Sequence, residues 1–408
     1  MKKIPVAFFL SLVFFLLTSQ TVWSHASVVK QSPMPNSQHE TSPEEVKIRF
    51  NSEVEENFSL KVFNDLDQEV DFYSPTISED RMEISVQLPT LEDGVYTIDY
   101  YIISSNDGHV VQGNYHILVG TKTDETVGPG LGNSSSNDKF NALELIIYLL
   151  KSMYYFGLVL LIGWIIWWQT VQEYSVDIKR KYILWGFVFQ MIHLLGLISV
   201  ILIQMDIFTS NGLFFTPNFP FDTDFGFYWL TSLVLSLVGF LVLFKNRWID
   251  ISWLAILVFC KSLNGHASAF DFTYLSATFN SIHLIAAGLW AGGLTFMVIY
   301  WRKHKLYVKE FMPIFSHHAF ISFILMAITG TFVTLIYSPS LLLLESNWGR
   351  FLMIKLILVI LVVAIAMIIR FKLKKSTTNV DHWIKIDFSL MLLIVITVSV
   401  LTFLSPTP

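Results

Sequence analysis

Between residues 25 and 120 apolar and polar residues alternate with period two, whereas beyond residue 140 the chain is a succession of long apolar runs. The alternating runs cover residues 46–50, 58–63, 82–86, 96–100 and 115–119. Turn-forming stretches separate them, among them Ser32-Pro33-Met34-Pro35-Asn36, Asn64-Asp65 and Glu92-Asp93-Gly94. Successive side chains of a strand point to opposite faces, so this spacing predicts an all-β sandwich or barrel of about seven strands. Residues 121–139 are polar and rich in Gly and Ser; they read as a flexible linker with an end-to-end distance of roughly 25 Å.

Eight apolar segments follow, near 142–168, 182–204, 227–244, 249–265, 280–300, 313–337, 350–371 and 384–404. A spanning helix needs about 20 predominantly apolar residues, so the fourth is short. The expected layout is therefore a signal segment (1–24), a β domain (25–120), a linker (121–139) and an all-α membrane domain of about eight helices (140–408). Loops after the odd-numbered segments carry Lys179, Arg180 and Lys181, then Lys245 and Arg247, then Arg302, Lys303, Lys305 and Lys309, then Arg370, Lys372, Lys374, Lys375 and Lys385. The loop 205–226 holds Asp206, Asp222 and Asp224 with no Lys or Arg. Basic loops stay in the cytoplasm, which places the β domain outside the cell membrane.

Composition agrees with this division. Of 408 residues, 53% are hydrophobic and mean hydropathy is +0.55. The β region carries five Lys/Arg against seventeen Asp/Glu, an acidic surface that would gather cations or simply keep an exterior domain soluble. Cys260 is the single cysteine, so there is neither an internal disulfide nor a thiolate cluster for Cu(I) or zinc. No phosphate-binding loop or phosphorylation sequence is present, so nothing in the sequence marks nucleotide hydrolysis or another enzymatic site.

Candidate chemistry begins at the N-terminus. Lys2 and Lys3, the apolar run to Leu17, and Val22-Trp23-Ser24 have the form of a secretory signal peptide cleaved before His25; the other reading is an uncleaved anchor. Cleavage would give His25 a free α-amine as well as its imidazole, and a metal can displace the amine proton near neutral pH. Asp107 and His109 flank Gly108 and leave the same side of an extended strand end. Alone, that triplet also reads as a turn acid beside a surface histidine. Joined to His25 it completes an amine, two imidazoles and a carboxylate, a tetragonal set suited to Cu(II). His116 reads as a packing residue, and His39, in a polar loop, as exposed. In the membrane half His193, His266 and His283 are candidate path ligands, because polar groups at bilayer depth are costly and tend to serve a function. Interhelical hydrogen bonding is the competing role for each. Gly288 and Gly292 form a small-xxx-small seam for a neighbouring helix.

The outer domain resembles the CopC-type periplasmic copper-binding domains in His25-Ala26-Ser27, Ser32-Pro33-Met34-Pro35, Leu91-Glu92-Asp93-Gly94-Val95-Tyr96 and Ser105-Asn106-Asp107-Gly108-His109. The resemblance implies an immunoglobulin-like or cupredoxin-like sandwich that binds Cu(II) through His25, Asp107 and His109. The membrane half is similar to the CopD family in Gly265-His266-Ala267, in the run from His283 to Leu294, in Phe315-Ser316-His317-His318-Ala319 and in Trp348-Gly349-Arg350-Phe351. CopC followed by CopD in one chain resembles YcnJ-type copper transport proteins of Gram-positive bacteria. Copper acquisition is the function this implies: capture of Cu(II) outside, then import, with Cu(I) as the form the membrane domain would carry. The partners implied are copper ions, the lipid bilayer, and an unidentified reductase or cytoplasmic copper chaperone, with no nucleic acid. Copper tolerance by export would use the same residues, and a copper- or haem-dependent membrane redox protein is a further alternative.

Overall fold

The structure is a computed structural model that describes residues 26, 28–72, 74–105, 108, 110–120, 142–170, 175–210, 223–264, 273–337, 347–374 and 380–402. Its first part holds eight strands: β1 Val28–Ser32, β2 Ser37–His39, β3 Glu45–Phe50, β4 Ser59–Phe63, β5 Thr76–Ile77, β6 Glu83–Gln87, β7 Gly94–Ile103 and β8 Val110–Val119. They form two four-stranded sheets, ordered β1-β3-β6-β5 and β2-β8-β7-β4. All pairings are antiparallel except β2 with β8. Alternation decides which side chains meet between the sheets: Val46, Ile48 and Phe50 from β3, Ile84 and Val86 from β6, and Ile98, Ile102 and Ile117 from the facing sheet.

The five alternating runs are all strands. The additional ones, β1, β2 and β5, are short, and none presents an alternating apolar face. Eight strands among the described residues agree with the expected sandwich of about seven; the one correction is that His39 lies on β2 instead of in a loop. Its Nε2 is 2.8 Å from Ser37 Oγ, and the ring is only half exposed. His116 packs as expected, with Nδ1 2.9 Å from Thr97 Oγ1.

Asp99, beside this pair, has one carboxylate oxygen buried without a hydrogen-bond partner. Burial pushes its carboxyl above the usual carboxylate range, while the charges of His116 and Lys61 pull it back. A folded pKa above the unfolded one means that ionised Asp99 costs stability at neutral pH; the cost vanishes as pH falls below the unfolded value of about 3.9. Asp99→Asn is therefore expected to stabilise the β domain by roughly 1 kcal/mol at pH 7 and to have little effect at pH 3. Thermal midpoints at the two pH values check this, and equal shifts at both would assign the effect to packing.

Among the described residues the second part holds eight helices: α1 Ala142–Thr170, α2 Val176–Ser210, α3 Asp224–Val242, α4 Arg247–Leu263, α5 Thr273–Tyr300, α6 Lys305–Tyr337, α7 Asn347–Lys374 and α8 Asp381–Leu401. Seven are long and apolar enough to cross a membrane; α4, with 17 residues, is the exception. Thr223 and Asn246 cap α3 and α4, their side-chain oxygens accepting from Gly226 N and Trp248 N. The Asp250 carboxylate fixes the turn between these helices to α1, accepting from Phe244 N at 2.9 Å and from Gln169 Nε2 at 2.6 Å.

Helix α1 is the axis of the bundle, packing against α2, α4, α5 and α8. Two of its three tryptophans lie inside and satisfy their N–H groups on backbone carbonyls of neighbouring helices: Trp164 Nε1 on Tyr182 O and Trp167 Nε1 on Leu289 O, each at 2.8 Å. The glycine seam of α5 receives α1 at Gly163, whose added Cβ would collide with the Gly288 carbonyl and stand 2.9 Å from Gly292 Cα.

Candidate metal centre

His25, Asp107, His109 and His266 lie outside the described residues, and so does the signal segment. Among the described residues no three His, Cys, Asp or Glu side chains converge as metal ligands. Ala26, Val28, Ser105, Gly108 and Val110, neighbours of the outer triad in sequence, are described. Ala26, next to His25, is buried in the sandwich core at 1% exposure. β1 starts at Val28 opposite Phe50, the last residue of β3. Just beyond Phe50, Val54 bridges to Ser104, the residue after β7. The start of β1 and the tip of the β7–β8 hairpin therefore occupy the same end of the sandwich, although they are some eighty positions apart in sequence.

That hairpin tip is held by a polar clamp. Arg81, at φ 52°, donates from Nη2 to Glu55 Oε2 and to Ser105 Oγ, both at 3.1 Å, and from Nε to the Val54 carbonyl at 3.3 Å. Ser105 N donates to Glu53 O, and Gly108 N to Ser104 O. Gly108 adopts φ +68°, the left-handed region that a residue without Cβ enters at no steric cost. Arg81 and Glu55 carry no sequence signature of this role; their separation of 26 positions closes only through the sheet.

Of the membrane histidines, His283 on α5 makes an interhelical bond, Nδ1 to Thr329 Oγ1 of α6 at 3.0 Å. His193 on α2 is wholly buried with neither ring nitrogen hydrogen-bonded. Lys261 of α4 donates from Nζ to Asn264 O at 3.0 Å and lies 5.6 Å from the Tyr155 ring centre.

Comparison with known proteins bears on both halves. Residues 28–120 match the CopC domain family, and residues 309–401 match the family described as Copper resistance protein D. The chain is 27% identical over 429 residues to Copper transport protein CutJ of Bacillus subtilis (strain 168), across 97% of this chain and 77% of that protein. It is 30% identical over 106 residues to Protein YobA of Escherichia coli (strain K12), across 25% of this chain and 85% of that one. Among solved structures, CopC from Methylosinus trichosporium OB3b is 26% identical, with 24% of this chain and 98% of that chain covered and a TM-score of 0.23. PcoC from Escherichia coli, described as a methionine-rich copper resistance protein, is 20% identical, with 23% and 98% covered and a TM-score of 0.21.

Proposed function

Because this chain belongs to the copper-handling family that joins a CopC domain to a CopD domain in one polypeptide, we propose that it acquires copper, capturing Cu(II) outside the cell and passing it inward through its helices. The capture ligands in this reading are the α-amine and imidazole of His25, the Asp107 carboxylate and the His109 imidazole. One observation carries it: the sandwich brings the chain entering β1 and the tip of the β7–β8 hairpin to one end, with Arg81 and Glu55 bracing the tip. The donor set suits copper, because imidazole and amine nitrogens with a carboxylate make a tetragonal site and Cu(II) binds such sites most tightly among the divalent first-row ions.

The membrane half supplies the route, with His193, His266 and His283 as its candidate ligands. Inward flux is supported by the placement of the acidic capture domain on the outer side, which follows from the basic loops of the opposite face. Copper is the cargo of this protein, and no bond-making step is required of it. In copper-starved cells, the strain expressing the chain should accumulate copper several-fold above a deletion strain, measured as total cell copper. A deletion strain that accumulates more than the parent would reverse the direction to export.

A further inference from the structure

The outer face of β7 departs from what alternation gives an isolated sandwich. Thr97, Asp99, Tyr101 and Ile103 share that face, opposite the core residues Tyr96, Ile98 and Ile102. Yet Tyr101 and Ile103 are 6% and 0% exposed. Together with Val110 of β8 they are covered by the outer ends of two membrane helices, through Met205 and Phe208 of α2 and Phe225 and Trp229 of α3. Gly108 lies on the ring of Phe225, where an added Cβ would stand 2.8 Å from Cγ. The end of the sandwich that holds the hairpin tip is thus seated on the mouth between α2 and α3.

From that seat one stripe of α3 runs into the bundle. Phe225, Trp229, Ser232, Ser236 and Gly239 recur at helical spacing and so share a face. It begins aromatic and becomes small and polar, Ser232 and Ser236 being 4% and 0% exposed. Helix α2 lays Gln190 against it: Nε2 donates to the Ser236 carbonyl, and a Cβ on Gly239 would meet that nitrogen at 2.8 Å. One turn along α2, His193 stacks obliquely on Tyr154 of α1 at 5.3 Å, with its backbone against Gly157.

Both ring nitrogens of His193, Oε1 of Gln190 and Oγ of Ser236 are buried without a hydrogen-bond partner. Buried polar atoms are almost always paired, because removing them from water unpaired is expensive. Gln190 and Ser236 meet where α2 packs on α3, and His193, one turn along α2, lies against α1, so the unpaired atoms mark a polar track along one buried stripe of α2. Accepting the copper reading above, on which this step rests, we propose that His193, Gln190 and Ser236 form a transit site for copper inside the bilayer, fed from the capture end seated on Phe225. Imidazole suits copper. Gln190 and Ser236 offer hard oxygens and serve as polar lining beside it rather than as soft ligands; these surroundings are neutral, and the penalty for burying an ion grows with the square of its charge, so the monovalent ion is the form this site takes. His283, with Nδ1 already bonded to Thr329, is a poorer host for a cation.

The test uses the full chain in nanodiscs, with His25→Ala silencing the outer site and Cu(I) supplied under ascorbate against a competing chelator. His25→Ala protein should retain one Cu(I) site. Adding His193→Phe, which keeps a flat ring but no donor, should weaken it by about 100-fold, the loss expected on removing a ligand. His193→Met, which restores a donor, should recover most of the affinity, and His283→Ala should leave it unchanged. Absence of Cu(I) binding in the His25→Ala protein, or binding that survives His193→Phe, would overturn the proposal, as would a Met variant no better than Phe. Failure of the capture reading shows separately, as a Cu(II) paramagnetic signal that persists in His25→Ala.

Discussion

Replacing His25 or His109 with Ala should abolish tight Cu(II) binding while the far-ultraviolet signature of the sandwich stays unchanged. Loss of an outer-shell partner of a metal ligand already costs 10- to 100-fold in affinity, so loss of a ligand itself is expected to cost at least about 100-fold. The fold should survive, because the core of the described sandwich is built from Ile48, Phe50, Ile84, Ile98 and their neighbours. The site also has a predictable response to acid. Its amine, with an ordinary pKa of about 7.7–8.0, and its two imidazoles, near 6.5, must all be deprotonated to bind. Protons compete with the metal, so affinity falls as pH drops, more steeply below about 6.5, where both imidazoles as well as the amine are charged. Chelator competition at several pH values measures both effects. One extra residue ahead of His25 should act like the substitution, since it turns the amine into an amide; undiminished affinity in that extended form would remove the amine from the site.

The same measurements bear on how much of this molecule is legible in its sequence. Period-two runs announce the interior strands because each buries one face against a partner sheet. β2 and β5 escape because an edge strand of two or three residues has too few positions to alternate. Tyr100-Tyr101-Ile102-Ile103 is a different case. Four consecutive apolar residues at the end of an alternating strand mean that both faces are covered there, and the run could have announced the helix contact before any coordinates. The glycine pair of α5 was readable as a packing seam without its partner, since small residues at i and i+4 invite a close helix but do not name it. His193 stands out in an apolar run, whereas Gln190 and Ser236 become a site only once α2 and α3 are known to be adjacent and in register. The Arg81 clamp likewise depends on sheet topology. Residues that act through a local period can be read from the chain; those that act through a meeting of distant segments cannot.

The tightest such meeting gives the largest expected loss of stability. At the crossing of α1 and α5 the two backbones leave no room for a side chain: a Cβ added at Gly163 would strike the Gly288 carbonyl and the Gly292 Cα, and one added at Gly292 would stand 2.7 Å from the Gly163 backbone. A side chain at Gly163 cannot be accommodated by a rotamer change, because what it strikes is backbone, so the helices must separate. Separation pulls Trp167 away from the Leu289 carbonyl that accepts its N–H, leaving a buried donor unpaired. Gly163→Leu is therefore expected to cost at least about 3 kcal/mol, the upper range for overpacking a well-filled interior. For a domain of this size that corresponds to a fall of roughly 6–12 °C in Tm. Gly330→Ala is the matched control: its added Cβ would meet only the edge of the His283 ring at 3.2 Å, and it should shift Tm little. Thermal unfolding of both variants in detergent, followed by tryptophan fluorescence, separates the cases. A Gly163→Leu protein as stable as the parent would mean that α1 and α5 tolerate separation and that the glycine seam does not set the spacing of the bundle.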